Sequence, residues 1–294
     1  MKTALKRLYF FSDVDGTLIH KPAGHLHPSF KNENVIQNFV GAGHAFIMAT
    51  GRGIRDIRTI AQKLNIPVEY AIAYNGAIIY KNQEEVFANT LSSGQVLDIL
   101  GKVQTLAVRF DTALLFTDDG QVFSKNPRLM VMLRGIASAV KHKRSYRMWN
   151  DKLIEKLVQR GLRFPKVCFI INNRKAITEL EEQLKLAFGN QLSIYCSAPN
   201  CLEICDANVD KAAAISYIIR REGLDDSQVA FIGDSGNDVC VFLEQEQSYI
   251  MNHAGKQIPR GFAQEVEDVA DAILDFVMNQ KQDSGGQDVA EIDE

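Results

Sequence analysis

The sequence predicts an α/β fold in which a doubly wound, mostly parallel sheet carries a second, inserted α/β domain. Three short apolar runs, each ending at a polar turn that contains glycine, indicate buried parallel strands. They occupy residues 8–11, 45–48 and 229–232. A long block with its own alternation of strand and helix signals indicates the inserted domain. The length of 294 residues is sufficient for two domains of ordinary size.

The first apolar run leads into Asp13-Val14-Asp15-Gly16-Thr17. Side chains at i and i+2 of a strand point to the same side, so Asp13 and Asp15 can address one ligand before Gly16 turns the chain. One carboxylate of such a pair can attack phosphorus and form an aspartyl-phosphate. The other can protonate the leaving alkoxide and later deprotonate water.

The second apolar run leads into Thr50-Gly51-Arg52. Ligands of open α/β sheets bind outside the carboxyl ends of the strands, so this turn is expected beside the first one. The Thr50 hydroxyl and the backbone N–H groups after Gly51 can hold phosphate oxygens at the start of a helix.

The third apolar run leads into residues 233–238, a loop that contains Asp234 and Asp238. Attack by a carboxylate on an anionic phosphate ester is repelled, so the site needs a hard cation and fixed positive charge. Magnesium accepts carboxylate and carbonyl oxygens, and these two acids supply them. Lys211, one helix before the third strand, can supply an ammonium group.

These motifs, in this order, resemble those of haloacid dehalogenase (HAD) superfamily phosphatases, which have a Rossmann-like core. The motifs are Asp13-x-Asp15-Gly16-Thr17, Thr50-Gly51-Arg52, Lys211 and Gly233-Asp234-Ser235-x-Asn237-Asp238. The resemblance implies Asp13 as nucleophile and Asp15 as general acid/base. It implies Mg²⁺ held by the Asp13 carboxylate, the Asp15 backbone carbonyl and Asp234, with Asp238 in support. The positions expected to bind phosphate or substrate are Val14, Thr50, Gly51, Arg52, Asn75, Lys211 and Asn237.

Residues 70–77 form a further apolar run that ends in a turn at Asn75, and the inserted domain is predicted to follow at residues 82–199. Asn75 either faces substrate or the cap hinge, or simply turns the chain. Predicted strands of the insert are 85–89, 113–117, 121–124, 166–171 and 192–196, and predicted helices are 93–105, 127–141, 150–159 and 176–188. The pair Asp119-Gly120 predicts a hairpin. Such an insert resembles the type IIB cap of the Cof-like branch, which implies a role in substrate specificity.

The remaining segments divide between the catalytic core and a tail. Residues 1–81 and 200–279 are predicted to form the core, and residues 280–294, rich in acids and glycine, a disordered acidic tail. The core departs from the family pattern at Ala212, where glycine is usual, and at His253, where asparagine is usual. The motif His25-x-His27 and a basic stretch between residues 128 and 147 are interpreted as a solvated loop and a wet helix face.

Composition limits the partners and the compartment. A net charge of −3 gives no general attraction to nucleic acid or to an anionic membrane, and no apolar run has the length of a membrane span. Five cysteines without a C-x-x-C pair favour a reducing, cytoplasmic location. If Ala198 and Pro199 form a tight turn, Cys196 and Cys201 lie opposite each other, although the reduced state is preferred.

The sequence therefore predicts a magnesium-dependent phosphatase that hydrolyses a small phosphomonoester, a sugar phosphate by preference, as a monomer or small homo-oligomer. Two alternatives stay open. A phosphotransferase such as a sugar phosphomutase uses the same aspartyl-phosphate but excludes water. A receiver-type signalling domain also uses clustered aspartates, but the paired acids and the long insert are against it.

Overall fold

The computed structural model describes residues 6–19, 28–106, 110–125, 147–148, 151–255 and 258–283. The chain divides into two compact units, one that runs to Phe87 and resumes at Asp210, and another from Ala88 to Val209. The strands are β1 Tyr9–Ser12, β2 Ala45–Ala49, β3 Tyr70–Ala73, β4 Ile78–Lys81, β5 Glu84–Ala88, β6 Thr112–Phe116, β7 Val122–Lys125, β8 Arg147–Met148, β9 Val167–Ile170, β10 Leu192–Ala198, β11 Cys201–Asp206, β12 Val229–Gly233, β13 Ser248–Met251 and β14 Gln264–Val266. The α-helices within the described residues are α1 Phe30–Gly41, α2 Ile54–Leu64, α3 Ser93–Thr105, α4 Asp151–Gln159, α5 Arg174–Phe188, α6 Lys211–Glu222, α7 Val239–Glu244 and α8 Val269–Asp283.

The first unit is built on an eight-stranded sheet in the order β14-β13-β12-β1-β2-β3-β4-β5. β1 lies between β12 and β2 and is parallel to both, and β3 continues the parallel set beside β2. Only β4, antiparallel to β3, departs from this direction among the strand pairs described for this sheet. The predicted mostly parallel core is confirmed.

Helices cover both faces of this sheet. Successive side chains of β1 point to opposite faces, so each face needs apolar partners. Phe10 packs against the aromatic rings of Phe39 in α1, Phe46 in β2 and Phe276 in α8. Phe11 belongs to the cluster on the other face, with apolar residues of α6 and α7. The doubly wound arrangement therefore follows from a continuous apolar strand that is buried on both sides.

The second unit contains a six-stranded sheet in the order β10-β11-β9-β6-β7-β8. Val167 and Phe169 of β9 contribute to an apolar cluster with residues of α3, α4 and α5. Since side chains alternate along a strand, Lys166 and Cys168 point to the opposite face of the sheet. The predicted hairpin is present, with Gly120 at a positive φ of 79° between β6 and β7.

The boundaries of this unit differ from the predicted insert, residues 82–199, at both ends. β5 joins the eight-stranded sheet beside β4, and β11 joins the six-stranded sheet between β10 and β9. A strand signal in the sequence does not tell which sheet the strand will enter, so the local pattern could not place these limits. A role of the insert as a cap stays a prediction, as does the division at these residues.

The turn between β10 and β11 corrects the expected position of two cysteines. β10 continues through Ala198, so the turn lies at Pro199 and Asn200 rather than at Ala198-Pro199. Cys201 is opposite Ala198, and Cys196 is opposite Leu202, with an irregularity between them. All five cysteines are free thiols, as preferred from the sequence.

The C-terminal helix extends beyond the predicted end of the core at residue 279. α8 continues to Asp283, and the Gln280 side chain is buried. The rest of the predicted tail, the His25-x-His27 motif, the predicted helix 127–141 and the basic stretch apart from Arg147 lie outside the described residues. None of the helices in the described part of the chain combines the length and apolar character that a membrane crossing requires.

Candidate active site

Four neighbouring parallel strands deliver the predicted site residues at one edge of the eight-stranded sheet. Asp13 follows β1, Thr50 follows β2, Asn75 follows β3 and Asp234 follows β12. The backbone N–H of Asp13 donates to the Ile232 carbonyl at 2.9 Å, which fixes the first loop against the last strand of the set. The carboxyl ends of these strands form the crevice in which open α/β sheets bind ligands.

A buried lysine lies at the centre of this edge. Lys211 Nζ donates to Asp13 Oδ1 at 2.5 Å and to Asp238 Oδ1 at 2.6 Å. The Lys211 side chain is 0 % exposed, and it is held at the first residue of α6, where Asp210 caps the helix by accepting from Ala213 N at 2.7 Å. A buried ammonium needs paired anions, and here it has two.

Burial and charge act against each other in this group. Burial raises the pKa of Asp13 well above its usual value, because desolvation and the neighbouring carboxylates outweigh the attraction of Lys211. Burial disfavours the charged form of Lys211 as well, but the two carboxylates more than compensate and raise its pKa. The lysine therefore stays charged beside an acid that is costly to ionise without further positive charge.

Asp234 completes a carboxylate cluster. One carboxylate oxygen each of Asp13, Asp234 and Asp238 lies within 4.8 Å of the others. Burial raises the pKa of Asp234 to about 6, although the Thr17 hydroxyl donates to its Oδ1 at 3.2 Å. Three ionised carboxylates and one ammonium leave two negative charges uncompensated, and hard oxygen donors are the ligands that magnesium prefers. This donor set fits a divalent hard cation.

Asp15 does not join this cluster in the structure. Its side chain is 60 % exposed, and both carboxylate oxygens accept from the Arg52 guanidinium, with Arg52 Nε to Asp15 Oδ2 at 2.7 Å. The structure thus pairs two side chains that the sequence predicted separately, one as acid/base and one as substrate ligand. The Asp15 side of this pair is open to solvent, so a ligand phosphate can reach and compete for the guanidinium.

Asn75 connects three of the loops. It has a left-handed backbone with φ 59°, its N–H donates to the Thr50 carbonyl at 2.9 Å, and its Oδ1 accepts from Asn237 Nδ2 at 2.9 Å. Asn75 thus turns the chain and contacts a predicted phosphate ligand, and its role toward substrate stays a prediction. Val14 is buried, and Gly51 is partly exposed beside Thr50.

Two glycines bring the loops into contact. A Cβ on Gly16, whose φ is 89°, would lie 2.2 Å from Asp234 Oδ2, and one on Gly233 would lie 2.5 Å from Asp238 Cγ. Asp238 Oδ2 also accepts from the N–H groups of Asp234 and Ser235 at 3.0 Å each. Asp238 thus orders its own loop with one oxygen and binds Lys211 with the other.

Thr17, Ser235 and His253 are additions to the predicted site. Thr17 and Ser235 lie inside the motifs, but their hydrogen bonds could not be read from the spacing of the residues. His253 Nε2 lies 2.9 Å from the Gly16 carbonyl, so the residue that departs from the family pattern touches the first loop. The sequence marked it as unusual, and only the fold shows its contact.

Comparison with known proteins shows which family this chain resembles. Residues 10–271 match the haloacid dehalogenase-like hydrolase family. A 5-amino-6-(5-phospho-D-ribitylamino)uracil phosphatase of Bacillus subtilis is 26 % identical over 249 residues, which cover 78 % of this chain and 82 % of that protein. A hydrolase of Schizosaccharomyces pombe is 25 % identical over 280 residues, 88 % of this chain and 85 % of its own.

Solved structures share the fold. A haloacid dehalogenase-like hydrolase from Bacteroides thetaiotaomicron superposes with a TM-score of 0.72 at 21 % identity and covers 92 % of this chain and 99 % of its own. A HAD subclass IIB sugar phosphatase superposes with a TM-score of 0.67 at 17 % identity and covers 95 % and 99 %. The shared fold confirms the predicted α/β architecture. Because the match extends from β1 into α8, the chain belongs to the haloacid dehalogenase-like hydrolase family.

Proposed function

We propose that this protein is a magnesium-dependent phosphatase that hydrolyses a small phosphomonoester, a sugar phosphate by class, through an aspartyl-phosphate on Asp13. The observation that supports it most is the buried Lys211, shared by Asp13 and Asp238 beside Asp234. The two relatives named for phosphatase activity, one on a phosphoribityl compound and one on sugar phosphates, support the substrate class.

In this proposal each side chain has one task. Asp13 attacks phosphorus, while Lys211 offsets negative charge on the carboxylate and on the phosphoryl oxygens. Thr50, Asn237 and the backbone at Val14 and Gly51 hold the phosphate. Asp13, Asp234 and the Asp15 carbonyl, supported by Asp238, would hold Mg²⁺, which supplies the positive charge that this dianionic substrate requires.

Asp15 has to leave Arg52 before it can act as general acid. The incoming phosphate can take its place, because a guanidinium binds phosphate in the same bidentate manner as a carboxylate. Substrate binding then releases the Asp15 carboxylate, which can take up a proton from solvent and pass it to the leaving alkoxide. The pairing of Asp15 and Arg52 in the structure is the contact on which this step depends.

Selection among substrates is assigned to the insert, residues 82–199. The loops at the sheet edge address the phosphate group, which all phosphomonoesters share, so discrimination requires another surface. A cytoplasmic location belongs to the proposal as well, and five free thiols support it. We propose a monomer or small homo-oligomer that acts on a free metabolite.

The test is release of inorganic phosphate from a panel of phosphorylated metabolites, with magnesium and with excess chelator. Asp13→Asn keeps the shape of the side chain but removes the attacking anion, so turnover should fall at least about a thousandfold. Glu244→Gln, an exposed acid in the same unit, is the matched control and should keep the parent rate. Phosphate transfer without release would favour the phosphomutase, and an active Asp13→Asn enzyme would exclude the nucleophile.

Asp15→Ala tests the acid/base role separately. A good leaving group needs little protonation, so the variant should lose about tenfold more activity on a sugar phosphate than on para-nitrophenyl phosphate. Arg52→Ala should instead weaken the binding of both substrates to the same extent and so raise KM for each. Equal losses of kcat on both substrates in Asp15→Ala would contradict the assignment.

A further inference from the structure

A second buried polar group lies in the other unit, on the face of the six-stranded sheet opposite the apolar cluster. Cys168 of β9 and Cys201 and Glu203 of β11 each offer one ligand atom, and these atoms lie within 4.8 Å of one another. Cys168 and Glu203 are buried, and Cys201 is partly exposed. Nothing in the proposed phosphatase reaction uses these residues.

The register of the strands explains this cluster. Cys168 is directly opposite Glu203, whereas Cys201 is opposite Ile170, two residues along β9. Cys168 and Cys201 are therefore diagonal neighbours on one face, whose Cα atoms are separated by about 7–8 Å in a regular antiparallel pair. A disulfide requires Cα atoms about 4.4–6.8 Å apart, so this register disfavours oxidation to a disulfide.

The same register suits a tetrahedral metal ion. Zinc–sulfur bonds of about 2.3 Å place two sulfur ligands about 3.8 Å apart along a tetrahedral edge. The limit of 4.8 Å for all three ligand atoms is compatible with that edge.

Charge balance decides which ion the cluster can hold. Lys166 Nζ, itself buried, donates to Glu203 Oε1 at 2.9 Å, and the Ser197 hydroxyl donates to the same oxygen at 2.9 Å. With neutral thiols, Lys166 and Glu203 sum to zero. With two thiolates and a divalent cation the sum is again zero, whereas a monovalent cation leaves a buried negative charge, which is unfavourable.

We propose that Cys168, Cys201 and Glu203 form a zinc-binding site in the second unit, distinct from the carboxylate cluster around Asp13. Zn²⁺ binds two thiolate sulfurs and one carboxylate oxygen, and the two thiol protons leave to solvent. The partly exposed Cys201 provides the entry route, and a water fills the fourth position. The site requires no change in the oxidation state of any group.

The test uses the reduced full-length protein with magnesium present. Cobalt is the spectroscopic probe, because sulfur ligands give a thiolate-to-cobalt charge-transfer absorption that an oxygen-only carboxylate site does not give. We expect one equivalent with that absorption, displaced by one equivalent of Zn²⁺ with release of no further protons. The readout does not depend on phosphatase activity, so its failure and that of the proposed function are distinguishable.

Three variants locate the site. Cys168→Ser and Cys201→Ser should each lower zinc affinity at least about a hundredfold, more than is usual for residues that only orient a ligand. Cys196→Ser is the matched control on the neighbouring strand, where its thiol donates to Glu181 at 3.3 Å, and it should bind zinc like the parent. Unchanged phosphate release and unfolding midpoints show that the variants fold.

Two results would overturn the proposal. One is the absence of the sulfur-to-cobalt absorption in the reduced parent. The other is a Cys168→Ser/Cys201→Ser protein that retains one tightly bound zinc with parental affinity, since that ion would have to lie elsewhere.

Discussion

The two units each bury a lysine against a carboxylate, and they differ in how the charges balance. In the first unit, Lys211 contacts Asp13 and Asp238, and Asp234 lies nearby. When all three carboxylates are ionised, one ammonium cannot balance their negative charge. In the second, Lys166 faces Glu203 alone, and its surroundings are thiols and the Phe116 ring, 4.9 Å away. Lys211 therefore belongs to a group with excess negative charge. Lys166 and Glu203 neutralise each other, and we call them the closed pair.

This difference in charge balance distinguishes the group around Lys211 from the pair of Lys166 and Glu203. A buried charge stays charged only where partners compensate for its lost hydration. Burial, together with the neighbouring carboxylates, raises the pKa of Asp13 and Asp234, and the uncompensated negative charge there is the basis on which a cation is proposed. Around Lys166, burial disfavours the charged form, but Glu203 and the nearby thiols together raise the pKa of the lysine, and the group is electrically neutral as long as both thiols keep their protons.

The largest expected effect comes from removing each lysine. Lys211→Met and Lys166→Met both leave buried carboxylates without their partner, which destabilises by about 3–5 kcal/mol. Magnesium should restore much of the stability of Lys211→Met, because the cation replaces the missing positive charge. It should not restore the stability of Lys166→Met. Phosphate release should fall steeply only in Lys211→Met.

Native-state hydrogen exchange is the measurement, because amides of β1 and β12 report one unit and amides of β9 and β11 the other. Without magnesium each variant should lose protection in its own unit, and magnesium should restore protection in Lys211→Met but not in Lys166→Met. Restoration of the Lys166→Met amides by magnesium, or no response of the Lys211→Met amides, would break the comparison between the two clusters.

The sequence could predict the first cluster better than the second. Asp13 and the loop with Asp234 and Asp238 each follow an apolar strand, and Lys211 begins the helix before the third strand, so their meeting at one edge could be expected. The pairing of Asp15 with Arg52 could not, because it depends on side-chain directions across two loops. The Lys166–Glu203 contact depends on which strands pair, and single strand signals carry no register.

The pH dependence of stability is expected to follow Asp234. Its pKa is raised from 3.8 to about 6 by burial, so the folded protein binds this proton more tightly than the unfolded chain does. That contribution is fully present below the unfolded pKa and is lost as the pH rises through about 6, a change of up to about 3 kcal/mol.

Denaturant unfolding in chelator, at pH values from 4.5 to 7.5, measures this change. Asp234→Asn should remove the corresponding part of the pH dependence, and saturating magnesium should reduce it in the parent, because the cation favours the ionised carboxylate. Glu203→Gln serves as the control from the second unit and should leave this part of the profile in place. A parent profile identical to that of Asp234→Asn would contradict the burial argument.

The smallest effect is expected when both members of the closed pair are replaced together. Lys166→Met/Glu203→Leu removes a buried ion pair and fills the space with apolar side chains, and such replacements are often neutral or stabilising. The double variant should lie within about 1 kcal/mol of the parent, although Lys166→Met alone is expected to lose several times more. The interaction energy from the double-mutant cycle, measured in chelator by exchange of β9 and β11 amides, should therefore be large. If the double variant is as unstable as the sum of the single ones, Lys166 and Glu203 stabilise their sheet independently, and the distinction between a closed pair and an open anionic site would not hold.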